Sequence, residues 1–310
     1  MKTTFLILFL FLSSAAISQE NTFIEEELSI NRHIDGTLLT PNNEEKSSLA
    51  IIIAGSGPTN RNGNQNFLKN NSLKKLAEGL TNNGISSFRY DKRIVKQIRQ
   101  NNVDSNIMFD DFVTDAISVL DYFIEKKKYS KIFVVGHSQG SLVGILAAKG
   151  KADGFISLAG AGKSINEIII EQVTKTAPIF IDDTKRVFEV LKSGNTTDDF
   201  PVALSSIFNK DIQPFMINWM QYNPQDEINK LEMPCLIING TKDLQVTVDE
   251  AKLLSEAALK TSLKIIENMN HVLFIIEGDD LENSKSYNES FRPIAPELIN
   301  EIVNFINSER

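Results

Sequence analysis

The chain carries one cysteine, three histidines, and no block of like charge long enough to form a tail. A lone Cys235 excludes an intrachain disulfide and any cysteine-rich metal site. It lies in the apolar run Cys235-Leu236-Ile237-Ile238 and is expected as a buried core thiol. Lys126-Lys127-Lys128 falls where a helix C-terminus is expected, an end that favours cations. The net charge of −8 argues against non-specific binding to nucleic acid or to an anionic membrane. There is no internal repeat, and the asparagine-rich stretch 60–71 is the sole biased tract. With 42% hydrophobic and 23% charged residues in 310, the composition is that of an ordinary globular protein with room for a sizeable core.

The first 18 residues are expected to be a targeting segment. Lys2 is a short positive region, Phe5 to Leu12 is unbroken and apolar, and Ser13, Ser14, Ala15, Ala16 and Ser18 are small residues before a cleavage point at Gln19. The apolar run is too short to span a bilayer comfortably. No cysteine near the cleavage point offers a site for lipidation. The expectation is export with no stable membrane anchor, to the periplasm or the medium.

Beyond residue 19, strand and helix patterns alternate. Phe23 to Ile30 and Ile34 to Thr40 read as a hairpin with turn chemistry at Asp35-Gly36. Leu49 to Ala54 is a continuous apolar run, as for a strand buried on both faces. It ends in Gly55-Ser56-Gly57-Pro58, which cannot be helix. Leu73, Leu76, Ala77 and Leu80 repeat at helical spacing up to a stop at Gly84, and Ile85 to Tyr90 follows as a strand. Asp110 and Asp111 open a helix with Phe112, Ala116, Val119, Leu120 and Phe123 on one face. After a strand ending near Val135, a helix and the short strand Phe155 to Leu158, the alternation stops. Residues 163–214 show helical patterns only, and a strand at Cys235 to Asn239, a helix from Val248, a strand at Leu263 to Ile266 and a last helix from Pro296 resume it. The expected organisation is an α/β core over 19–162 and 215–310, with a helical cap inserted at 163–214. Alternating elements imply a mostly parallel sheet covered on both faces, with ligands outside the carboxyl ends of its strands.

At one such end lies Gly136-His137-Ser138-Gln139-Gly140, preceded by Phe133-Val134-Val135 and followed by an apolar helical pattern. This is a G-x-S-x-G nucleophile elbow in its required strand–turn–helix context. A serine hydroxyl is a weak nucleophile and needs a histidine placed to take its proton. The three histidines leave little choice. His33 precedes the sheet core and is expected at the surface, and His137 sits inside the elbow, where it serves packing. His271 follows the last core strand by a few residues and is the expected base. The acid should come between Ser138 and His271 in the chain, after the preceding strand. Asp243 occupies that loop; its bland alternative is an Asx turn. Asp249 and Glu250 are rivals in a helix first turn, where acids simply suit the dipole. The oxyanion of acyl transfer needs backbone donors, expected from Gln139 and Ser56.

These segments carry a resemblance. Residues 55–64 (Gly-Ser-Gly-Pro-Thr-Asn-Arg-Asn-Gly-Asn), Tyr90-Asp91-Lys92-Arg93, the elbow, residues 240–246 (Gly-Thr-Lys-Asp-Leu-Gln-Val) and Asn270-His271 resemble the α/β-hydrolases. Within them the chain resembles the serine-aminopeptidase and monoacylglycerol-lipase-like group, in particular its secreted bacterial esterase-like members. The resemblance spans residues 49–275. It implies an eight-stranded sheet with a helical cap, no cofactor or metal, a small-molecule ester as substrate, and carboxylic ester hydrolysis. One departure is that such proteins commonly follow Tyr-Asp-Lys-Arg with a glycine-containing turn, whereas this chain has Ile94-Val95-Lys96-Gln97. Asp91 and Arg93 are expected to form an ion pair tying loops together, and Arg61 is a lesser candidate for meeting a substrate carboxylate or carbonyl.

Other functions use the same residues. A peptidase or amidase would need acidic groups for a free amino terminus, such as Glu167 or Glu171 in the cap. A thioesterase or acyltransferase fits poorly with export. A non-catalytic binding protein on a hydrolase scaffold is a third class, against which the intact Ser, Asp and His set argues. Acyl length, leaving group and oligomeric state are not specified by the sequence.

Overall fold

Eight segments, the central ones short apolar runs, become the strands of one sheet. The structure, a computed structural model, describes residues 23–42 and 46–309, so the expected targeting segment lies outside it. The strands are β1 Phe23–Ser29, β2 Asp35–Pro41, β3 Leu49–Ile53, β4 Ser86–Tyr90, β5 Ile132–His137, β6 Gly154–Leu158, β7 Cys235–Gly240 and β8 Thr261–Ile266. Their spatial order is β1-β2-β4-β3-β5-β6-β7-β8. β1–β2 and β2–β4 pair antiparallel, and every other neighbour is parallel. The edge strand β1 carries Glu25, Glu26 and Glu27, charges that discourage another chain from pairing there.

The helices in chain order are α1 Ser72–Asn82, α2 Arg93–Arg99, α3 Phe109–Lys126, α4 Gln139–Ala148, α5 Ile165–Thr176, α6 Ile181–Lys192, α7 Ser205–Phe208, α8 Gln213–Trp219, α9 Pro224–Ile228, α10 Val248–Ala257, α11 Asp280–Ser286 and α12 Pro296–Ser308. Alternate strand residues point to opposite faces, so the sheet has two cores. Ile51, Ile53 and Val134 pack against Phe109, Phe123, Leu142 and Leu254 from α3, α4 and α10. Ala50, Ile52 and Val135 pack against Leu73, Leu80, Leu298 and Ile302 from α1 and α12. Helix α4 is apolar nearly all round and is buried along nearly its whole length. Fully burying such side chains contributes about 1.5–3 kcal/mol each.

Helices α5 to α8 lie between β6 and β7 and have a core of their own, built on Ile169, Val173, Val187, Phe188, Leu191 and Phe208. Three local expectations are corrected. Asp35 and Gly36 do not make the hairpin turn; both lie inside β2, paired with Ser29 and Leu28. A side chain at Gly36 would come within 2.2 Å of the Phe88 ring, so the glycine serves close approach rather than turning. Asp91 and Arg93 do not pair with each other. Asp91 binds Arg61 and Arg99, while Arg93 binds Asp111 and Asp115 of α3. Arg61 is thereby committed to Asp91 and Glu27. The segment after Arg93 is the helix α2, stopped by Gln100.

Candidate active site

Four loops at the carboxyl end of the parallel strands meet around Ser138. The serine is held between β5 and α4 at φ 54°, ψ −122°. A non-glycine residue in that region costs on the order of 1–3 kcal/mol, so the surrounding packing must enforce it. The Ser138 N–H donates to the Leu158 carbonyl at 2.9 Å, and the Ser141 N–H donates to the Ser138 carbonyl at 2.9 Å. Gly140 lies where a Cβ would be 2.4 Å from the Ile53 carbonyl oxygen. The absent side chain lets α4 close on the end of β3, which brings residues 55–57 beside the serine. An ideal Cβ built on Gly55 would sit 3.2 Å from the Ser138 Cβ.

Asp243 follows β7 and His271 follows β8. His271 Nδ1 donates to Asp243 Oδ2 at 2.8 Å, and the aspartate side chain is fully buried. The other carboxylate oxygen accepts from the Gln245 and Val246 backbone N–H groups at 2.8 and 2.9 Å. The Asx turn and the histidine contact are therefore two ends of one carboxylate rather than alternatives. With the proton on Nδ1, Nε2 carries the lone pair. The histidine loop is fixed from below: Asn270 Nδ2 donates to Asn283 Oδ1 and Ser286 Oγ of α11 at 2.9 and 2.8 Å.

His137 does more than pack. Its Nε2 donates to the His271 carbonyl oxygen at 2.8 Å, and burial, followed by the neighbouring His271, pushes it down to about 4. The imidazole is therefore neutral at pH 7. His33 is half-buried at the β1–β2 turn and accepts from Arg32. Glu250 likewise is no simple dipole partner. It is 2% exposed, and its Oε2 accepts from the Gly162 and Lys163 N–H groups, both at 2.9 Å. It anchors the point where the chain leaves β6 for α5. Sequence position hid this, because an acid in a helix first turn looks the same whether or not it is buried.

Two cavities flank the serine. One, of about 230 Å³, has polar walls that include Thr59, Gln65, Asn70, Gln245, His271 and Tyr287. The other, of about 390 Å³, is mostly apolar and includes Leu142, Ile165, Ile168, Ile169, Ile207 and Trp219. Ser56, Ser138 and Gln245 line both, and Gln139 lines the apolar one. Ile168 and Ile169 of α5 and Trp219 of α8 reach this cavity. Val173, Val187, Phe188 and Phe208 form the cap's own core. Among the described residues, no group of three or more His, Cys, Asp or Glu stands close enough to hold a metal ion. No described helix is long and apolar enough to cross a membrane. Cys235 is buried, and burial pushes its thiol up to about 12.

The sheet order, the strained elbow and the crossing helices are those of the α/β-hydrolase fold. The profile of the family described as "Serine aminopeptidase, S33" matches residues 70–199. The chain is 25% identical over 268 residues to the esterase EstD of Thermotoga maritima, covering 83% of this chain and 62% of that relative. Among solved structures it is similar to Est1E from Butyrivibrio proteoclasticus, with a TM-score of 0.57 at 17% identity, covering 92% of this chain and 98% of that one. It is also similar to the acylaminoacyl peptidase of Pyrococcus horikoshii, with a TM-score of 0.55 at 13% identity, covering 93% of this chain and 42% of the other.

Proposed function

We propose that the protein is a serine hydrolase of neutral carboxylic esters, with Ser138 as nucleophile, His271 as general base and acid, and Asp243 as the residue that orients the imidazole. The Asp243–His271 hydrogen bond of 2.8 Å, beside a serine held on a strained turn, is the observation that carries this reading. Its steps follow from ordinary acid–base chemistry. Ser138 Oγ attacks the ester carbonyl while His271 Nε2 takes its proton. The Ser56 and Gln139 N–H groups stabilise the oxygen that becomes negative. The tetrahedral species expels the alcohol, protonated by His271, and leaves an acyl-serine. Water activated by the same histidine then releases the acid.

The two cavities divide the substrate. The apolar one suits a short to medium acyl chain, and the polar one suits a hydroxyl-bearing alcohol. Lys163 is the one charged residue on the apolar wall, and it is paired with Glu171 and Glu250. On the polar wall, burial holds Tyr287 up at about 12, so it remains a neutral donor. Neither wall offers a free carboxylate for an ammonium. Glu167 is spent on the Ser164 cap and Glu171 on Lys163, which disfavours the aminopeptidase alternative. We also propose export, on the strength of residues 1–18, to be tested by N-terminal sequencing of the protein recovered outside the cell.

The deciding experiment is hydrolysis of p-nitrophenyl acetate, butyrate, octanoate and palmitate by the wild type and Ser138→Ala, beside an aminoacyl p-nitroanilide. Ester turnover lost in the variant, with a butyrate-to-octanoate optimum, supports the proposal. Aminoacyl turnover without ester turnover replaces it with a peptidase. No turnover, with Ser138 unlabelled by a fluorophosphonate, leaves a binding scaffold.

A further inference from the structure

A lysine ammonium is among the costliest groups to bury, and buried ones are normally paired with a carboxylate. Lys92 is 5% exposed, and no carboxylate lies within ion-pair distance of it among the described residues. Its Nζ donates instead to the Gly55 carbonyl oxygen at 2.9 Å and to Gln139 Oε1 at 3.0 Å, and lies 4.4 Å from the centroid of the Phe112 ring. Burial pushes the ammonium down to about 7. A purely structural role would be better served by an apolar side chain of similar volume, which carries no desolvation cost.

The two acceptors are specific ones. The Gly55 carbonyl and the Ser56 N–H are the two ends of a single planar amide. Gln139 carries the second donor for the oxyanion on its own backbone nitrogen. One ammonium therefore touches the peptide that supplies one donor and the side chain of the residue that supplies the other.

We propose that Lys92 is the positioning residue of the oxyanion hole, fixing the plane of the Gly55–Ser56 peptide and the first turn of α4 from behind. The inference rests on the reading of the site as a serine ester hydrolase. A loop with glycines at 55 and 57 turns its peptide planes easily, and Gly57 sits at φ +70°. Tying the carbonyl down from one side leaves the N–H at the other end of the amide facing the opposite way. A hydrogen bond from Lys92 Nζ polarises the whole amide, most strongly in the protonated form, which makes the N–H a better donor. The interaction matters most when the substrate oxygen becomes negative, so its loss should lower kcat and spare KM.

The test compares wild type, Lys92→Met and Lys92→Arg on p-nitrophenyl butyrate, with a trifluoromethyl ketone as a mimic of the tetrahedral oxyanion. Lys92→Met should lower kcat by about 10- to 100-fold, somewhat less than deleting a donor outright. KM should stay within about twofold, and the ketone should weaken by the same factor as kcat. Lys92→Arg, which keeps the charge and the donors, should recover much of the loss. A folded Lys92→Met with wild-type kcat, or one with raised KM and unchanged kcat, overturns the inference while leaving the ester-hydrolase reading intact. If Lys92→Met does not fold, Lys92→Gln is read by the same criteria. A wild type that hydrolyses no ester and is not labelled at Ser138 by a fluorophosphonate overturns both.

Discussion

The ring of His137, one residue before the elbow serine, donates from Nε2 to the backbone carbonyl of His271 at 2.8 Å. A side chain at the end of β5 thus supports the loop that carries His271. The imidazolium would keep this donor, but burial makes the charged ring costly, and stability therefore depends on pH. The group has a folded value of about 4 against 6.5 when free, so between those values the unfolded chain binds more protons than the folded one. Stability is therefore complete above about pH 6.5 and falls as the pH drops through the window, by about 1.4 kcal/mol per pH unit. Urea unfolding at pH 7, 5.5 and 4.5 should show this slope in the wild type. His137→Gln, whose amide can still donate to His271, should lack that part of it; equal slopes would refute the assignment.

Asp243 splits its carboxylate between two backbone N–H groups and one imidazole. Asp243→Asn should keep the turn, because the amide oxygen can still accept both backbone bonds. Its NH₂ then faces Nδ1 and imposes the wrong tautomer on His271. The expected result is a fall in kcat of about 10⁴-fold with little change in melting temperature. A variant that loses its fold along with its activity would show that the aspartate serves the loop more than the histidine.

Ser138 is a non-glycine residue held at φ 54°, a conformation that costs stability. Ser138→Gly relieves the strain at the elbow, while Ser138→Ala retains it, and both remove the hydroxyl. Set against glycine's greater freedom in the unfolded chain, the net gain for Ser138→Gly over Ser138→Ala should be on the order of 1 kcal/mol. Thermal unfolding of the two inactive variants decides the matter. Equal or reversed melting temperatures would mean that the surroundings do not strain this residue.

What the sequence made legible was whatever rests on local spacing. Leu49–Ile53 and Cys235–Gly240 are apolar runs that have few uses except as strands buried on both faces. The positions of Ser138, Asp243 and His271 come from counting a few residues past strand ends, and the structure puts the aspartate and the histidine in contact. Features that depend on which side of a surface a residue faces stayed hidden. Lys92 sits in a four-residue stretch with three charges and looks solvated, yet it is buried, with its Nζ over the Phe112 ring. Gly36 follows an aspartate and looks like a turn, yet it makes room for Phe88 from the neighbouring strand β4. Helix α11 is short and polar, with no apolar period to betray it, and its value lies in holding Asn270.

Glu250 shows how such a hidden contact can tune the substrate. Its Oε2 holds the Gly162 and Lys163 N–H groups, and its Oε1 lies 3.1 Å from the Lys163 ammonium. Lys163, Ile165 and Ile168 then line the apolar cavity. Glu250→Ala would leave the buried Gly162 donor and the half-buried Lys163 donor unpaired and free the entry to α5, at a stability cost on the order of 2 kcal/mol. Because Ser138, Asp243 and His271 hang from other loops, acetate turnover should hardly change. Longer acyl chains depend on the wall that α5 provides, so KM for p-nitrophenyl octanoate should rise severalfold. A uniform loss across acetate and octanoate would place the effect of Glu250 on the serine rather than on the acyl cavity, because contacts with a cavity wall should matter more as the acyl chain lengthens.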